Sequence, residues 1–72
     1  MSTPGYRIKK LRLEHQMSVA QLAEAIGVSE GYIRDIENEK TEPRLDVIVK
    51  IALVFGVSVN KLVTDLYDGN EE

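Results

Sequence analysis

The sequence predicts an all-α domain of five helices, and three observations carry that prediction. In three places an apolar residue precedes a serine and a second apolar residue follows four positions after it: Met17, Ser18, Leu22; Val28, Ser29, Ile33; Val57, Ser58, Leu62. A serine at the N-cap accepts a hydrogen bond from an otherwise unpaired amide of the first turn, and the flanking apolar residues close over it as a hydrophobic staple, so each triplet marks a helix start. Ser18 and Ser29 lie eleven residues apart with Gly27 between them. One short helix must therefore end and the next begin within about three residues. Finally, the run from Leu45 to Phe55, bracketed by Pro43 and Gly56, is apolar at nine of its eleven positions. Its β-branched residues (Val47, Ile48, Val49, Ile51, Val54) would also suit a strand, but its length, its flanks and the lack of a partner strand favour a helix.

Each element has its own justification. Thr3 and Pro4 supply an N-cap and N1 pair for a first helix running to about Glu14, with Ile8 and Leu11 on its inner stripe. Ser18 with Gln21 forms a capping box for the second helix, whose buried face is Leu22, Ala23 and Ile26 before Gly27 ends it. In the third helix Ile33, Ile36 and Tyr32 form the inner stripe, leaving Glu30, Gly31, Arg34 and Asp35 outside. A polar loop follows from Asn38 to Arg44, where Pro43 disfavours helix at Glu42. The fourth helix has no single wet face and is expected to be buried on several sides. Val59, Leu62, Val63 and Leu66 mark a last short helix. The expected organisation is one domain over 1–67 and a solvated, disordered acidic tail over 68–72.

Composition narrows the function. Seventy-two residues lie near the lower limit at which a core without metal or disulfide offsets chain entropy. There is no cysteine, and His15 is the single histidine, so no metal site and no metal cofactor are expected. No stretch approaches a membrane span, and Met1 to Tyr6 lacks a basic region followed by an apolar one; a cytoplasmic protein is expected. The net charge of −3 is concentrated in Asp65, Asp68, Glu71 and Glu72, leaving nine basic against eight acidic groups over residues 1–64. Arg7, Lys9, Lys10 and Arg12 give the first helix a basic surface. His15 is expected to interact with the dipole of the first helix, and Tyr6 and Leu13 to be partly buried. No nucleophile with its base, no glycine-rich phosphate cradle and no pocketed carboxylate pair stands out, so no catalytic residue and no enzymatic activity are expected.

The order and spacing of Ile8, Leu11 and Arg12, of Leu22, Ala23, Gly27, Val28 and Ser29, of Tyr32, Ile33, Ile36 and Glu37, and of Pro43, Leu45, Ile51, Ala52, Gly56, Val57, Ser58 and Leu62 resemble the lambda-repressor-like helix-turn-helix family of Cro/CI or XRE type. The small controller proteins of restriction systems and the repressors of mobile elements are similar in size. The resemblance implies a helix-turn-helix at helices 2 and 3, with helix 3 in the major groove of double-stranded DNA. Carried onto this chain, base edges would be met by Glu30, Gly31, Arg34 and Asp35, with Arg34 suited to guanine and the carboxylates to a cytosine amino group. Phosphates would be held by the amide ends of helices 2 and 3 and by Ser18, Tyr32, Asn38, Lys40, Thr41 and Arg44. Arg12 and Glu37 would form an ion pair joining helix 1 to the end of helix 3. Glu39 stands where the family usually places a glycine, so Asn38 is expected to take the left-handed conformation.

The apolar excess of the fourth and fifth helices exceeds what so small a core absorbs. A homodimer is therefore expected through Val47, Ile51, Val54, Val59, Val63, Leu66 and Tyr67. The competing reading is a protein-binding module on the same fold, an antirepressor or antitoxin, presenting Glu30, Asp35 and Glu39 to a basic protein partner.

Overall fold

The structure, a computed structural model, describes residues 3–63. Five helices follow in order: α1 (Pro4–Glu14), α2 (Val19–Ile26), α3 (Glu30–Glu37), α4 (Leu45–Phe55) and α5 (Val59–Val63). Their starts are set as the serine pattern implies. Thr3 accepts from the Tyr6 amide, Ser29 from the Tyr32 amide, and Ser18 and Gln21 close a reciprocal capping box. The Lys61 amide donates to Ser58 Oγ at 3.3 Å in the same way.

The helix ends share one device. After α2 and α4, Gly27 (φ 77°) and Gly56 (φ 69°) turn left-handed, and the next amide reaches back to Ala23 O at 3.0 Å and to Ala52 O at 3.1 Å. The chain repeats this after α1 and α3 without glycine. Gln16 (φ 57°) and Glu39 (φ 64°) take the left-handed conformation, with Met17 N–H bonded to Arg12 O at 3.0 Å and Lys40 N–H to Asp35 O at 2.8 Å. Asn38, expected there from sequence, is at φ −90° instead. The turn needs its positive φ one residue later, where the Lys40 amide closes onto Asp35.

α1 packs against α3, α4 and α5, α2 against α3 and α4, and α4 against α5. Ile8, Leu22, Ile33, Ile36, Ile51 and Leu62, one or two from each helix, are fully buried where these elements meet. Each contributes on the order of 2 kcal/mol by leaving water. Met17, Val28 and Val57, the residues that precede the capping serines, pack at the edge of this core. α1 approaches the end of α3 so closely that a β-carbon on Gly5 would collide with the Ile36 carbonyl. No described helix is long and apolar enough to cross a membrane.

Four sequence expectations are corrected by this packing. Arg7 and Arg12 are buried, so only Lys9 and Lys10 of the four basic residues lie exposed on α1; Arg7 Nη1 donates to Lys61 O at 2.7 Å, tying α1 to α5. α4 is not buried on several sides. Val47, Ile48, Ile51, Ala52 and Phe55 face inward, while Leu45, Val49, Leu53 and Val54 are apolar yet exposed. Consequently Val47 and Ile51, expected in a dimer contact, belong to the monomer core, because they lie on the face of α4 turned to α2 and α1. Of the other residues expected there, Val54 and Val63 are exposed and Val59 is half-buried against the core, while Leu66, Tyr67 and the expected tail at 68–72 lie outside the described residues. Tyr6 and Leu13, expected to be partly buried, are more than half exposed.

Candidate nucleic-acid interface

α3 is held at both ends. At its start Ser29 caps the Tyr32 amide at 3.1 Å. At its end Glu37 accepts from Arg12 twice, Nε to Oε2 at 2.7 Å and Nη2 to Oε1 at 3.0 Å, with the two side chains 10% and 5% exposed. The same guanidinium donates through Nη1 to Met17 O at 2.7 Å. One buried cation therefore connects α1, the turn leading into α2 and the last residue of α3. The fork geometry satisfies both carboxylate oxygens, which is the arrangement in which a buried pair offsets its desolvation. No buried side-chain polar atom among the described residues lacks a partner.

With Ile33 and Ile36 buried beneath, α3 turns Glu30, Gly31, Arg34 and Asp35 to solvent. On that surface Arg34 Nη2 donates to Glu30 Oε1 at 3.1 Å. Among the described residues no atom from outside its own helical turn lies within 4 Å of where a Gly31 β-carbon would stand, so none of them requires a glycine there.

Around this surface the residues considered for phosphate contacts fall into separate places. Tyr32, half-buried, accepts from the Arg44 amide at 3.4 Å, which links α3 to the start of α4. A shallow cleft of about 350 Å³ opens beside them, lined by Val28, Ser29, Tyr32, Arg44, Asp46, Val47 and Lys50. Arg44 also pairs with Asp46 at 3.2 Å, and the carboxylate caps the Val47 amide at 2.9 Å. Ser18 is exposed at the start of α2, while Asn38, Lys40 and Thr41 are exposed in the loop after α3. Thr41 lines a different depression of about 180 Å³, with Thr3, Pro4 and Glu39. There Thr3 Oγ1 donates to Glu39 Oε2 at 2.7 Å.

Two residues escaped the sequence reading. Lys50 joins Tyr32 and Arg44 at the cleft although it sits in an apolar helix; its charge within that run was the available signal. Gly5 had no signal in local pattern, since close approach of α1 to α3 is a tertiary property. His15, at the end of α1, brings Nδ1 to 2.9 Å from Leu11 O and meets Phe55 in a tilted ring contact, with centroids 4.8 Å apart and planes inclined by 46°. It ties α1 to α4 and stands apart from the exposed face of α3.

The sequence profile of the helix-turn-helix family matches residues 8–62. The chain is similar to the HTH-type transcriptional regulator SinR of Bacillus licheniformis, 39% identical over 70 residues, covering 90% of this chain and 63% of that protein. Among solved structures it is similar to the P22 c2 repressor in complex with a synthetic operator, with a TM-score of 0.84 and 25% identity over 89% of this chain and 97% of that one. It is also similar to the biofilm master regulator SinR in complex with DNA, with a TM-score of 0.78 and 36% identity over 83% of this chain and 97% of that one. The chain spans about half the length of the curated relatives it matches.

Proposed function

The chain belongs to the helix-turn-helix family, and from that premise we infer that it is a sequence-specific transcriptional regulator that places α3 in the major groove of double-stranded operator DNA. The observation that carries this reading is the division of α3: Ile33 and Ile36 anchor it in the core while Glu30, Gly31, Arg34 and Asp35 are exposed. Such a short, firmly seated rod with one exposed face is what a groove about 12 Å wide admits. The P22 c2 repressor and SinR, solved with DNA, support the same reading and favour it over the purely protein-binding alternative.

In this mechanism Arg34 donates to guanine, and Glu30 and Asp35 accept from cytosine amino groups. Ser18, Tyr32, Asn38, Lys40, Thr41 and Arg44, with the amide ends of α2 and α3, hold phosphates and fix the register without reading sequence. A single α3 reads only a few base pairs, so the protein acts as a homodimer through the exposed apolar residues of α4 and α5, with half-sites about 34 Å apart. The role is cytoplasmic and non-catalytic, and it needs no metal or other cofactor.

The test is selection from a random duplex library, followed by titration of the enriched duplex at several salt concentrations. The expected outcome is a palindromic sequence whose affinity falls steeply with salt, with Lys40→Ala reducing that slope by about one. Failure to enrich any sequence, with binding indifferent to salt, would overturn the reading.

A further inference from the structure

The exposed face of α3 carries two carboxylates and one guanidinium, a set that repels phosphate more than it attracts it. Within that face the Arg34 to Glu30 contact needs a reason. At 58% and 49% side-chain exposure the pair adds little to folding. Its geometry suits another task. The joined tips lie 3.1 Å apart, less than the rise of about 3.4 Å between successive bases. Guanine O6 and cytosine N4 are hydrogen-bonded neighbours within one pair, so two touching tips set side by side across the groove can meet both at once.

In the major groove a G·C pair presents the N7 and O6 acceptors of guanine beside the N4 donor of cytosine, whereas A·T presents an acceptor, a donor, an acceptor and a methyl group. A guanidinium linked to a carboxylate is the donor and acceptor complement of the first pattern and mismatches the second. We propose that Glu30 and Arg34 act as one preassembled reader of a single G·C base pair, Arg34 donating to guanine while Glu30 accepts from the cytosine amino group. This rests on the DNA-binding reading above and deepens it. Glu30 thereby has two effects. It holds the Arg34 fork in the orientation that reads guanine, and its charge penalises every duplex that offers no amino group in that place.

The experiment uses the full chain, its Glu30→Ala and Arg34→Ala variants and the double variant, each checked for an intact fold by circular dichroism. Binding is measured to the duplex enriched by the wild type, to the same duplex with each G·C pair changed in turn to A·T, and to a random-sequence duplex. The wild type is expected to prefer G·C at one position of the half-site by about tenfold or more. Glu30→Ala should erase most of that preference at that position alone while strengthening binding to random duplex, and its effect on the preference should be clearly smaller once Arg34 is alanine, because only the direct contact of Glu30 with cytosine is then left to lose. An unchanged preference in Glu30→Ala, or an enriched half-site without a G·C requirement, overturns the coupled reader and leaves DNA binding standing. A wild type that binds no duplex overturns both.

Discussion

Replacing Glu37 by alanine isolates the contact on which the placement of α3 depends. The carboxylate receives two charge-assisted hydrogen bonds from Arg12, at 2.7 and 3.0 Å. Removing it leaves a guanidinium that is 10% exposed, with Met17 O as its remaining acceptor in this cluster. Breaking a buried pair by deleting one partner costs about 3–5 kcal/mol. The surviving bond to Met17 O and the residual exposure of Arg12 place this case at the lower end, about 3 kcal/mol. For a domain of this size each kcal/mol moves the melting temperature by roughly 4–8 °C, so a drop of about 12–24 °C is expected. Thermal and urea unfolding followed by circular dichroism at 222 nm measure it. Glu37→Ala should also cost far less in an Arg12→Met background, where no charge is stranded. A melting shift below about 3 °C, or an equal cost in both backgrounds, would refute this expectation.

Other outcomes follow from individual positions. Gly5→Ala should lower stability by about 2 kcal/mol, because its methyl would press on the Ile36 backbone and not on a side chain free to move; equilibrium urea unfolding reads this directly. Gly31→Ala should raise stability by up to about 1 kcal/mol, since the added methyl meets nothing and helix propensity improves. If that variant melts higher yet binds the selected duplex more weakly, the glycine serves close approach to DNA. Glu39→Gly should raise the melting temperature by relieving a left-handed residue worth roughly 1 kcal/mol, less whatever the exposed bond to Thr3 contributes.

The chain announces its helix starts because capping is local: Ser18, Ser29 and Ser58 each act within one turn, and no distant residue can change that chemistry. Gly27 and Gly56 are equally legible, since a left-handed residue is the conformation glycine favours. Gln16 and Glu39 adopt the same conformation with no glycine to mark it, so the device is visible at two ends of four. Arg7 reads as a solvated residue on a basic helix and is buried because α5 lies across it. In α4 the pattern fails for a different reason. Both faces are apolar, and sequence cannot distinguish the one that meets α2 from the one that stays wet. Glu30, Gly31, Arg34 and Asp35 were legible as an exposed set because Ile33 and Ile36 fix the inner stripe, but their mutual pairing was not.

Arg12 grips the entry to α2 and the exit of α3 with a single planar group. A displacement of either helix relative to α1 would stretch hydrogen bonds of the same guanidinium, so the two are mechanically joined through that one side chain. Amides along α2 and α3 should accordingly open to solvent exchange as a single cooperative unit.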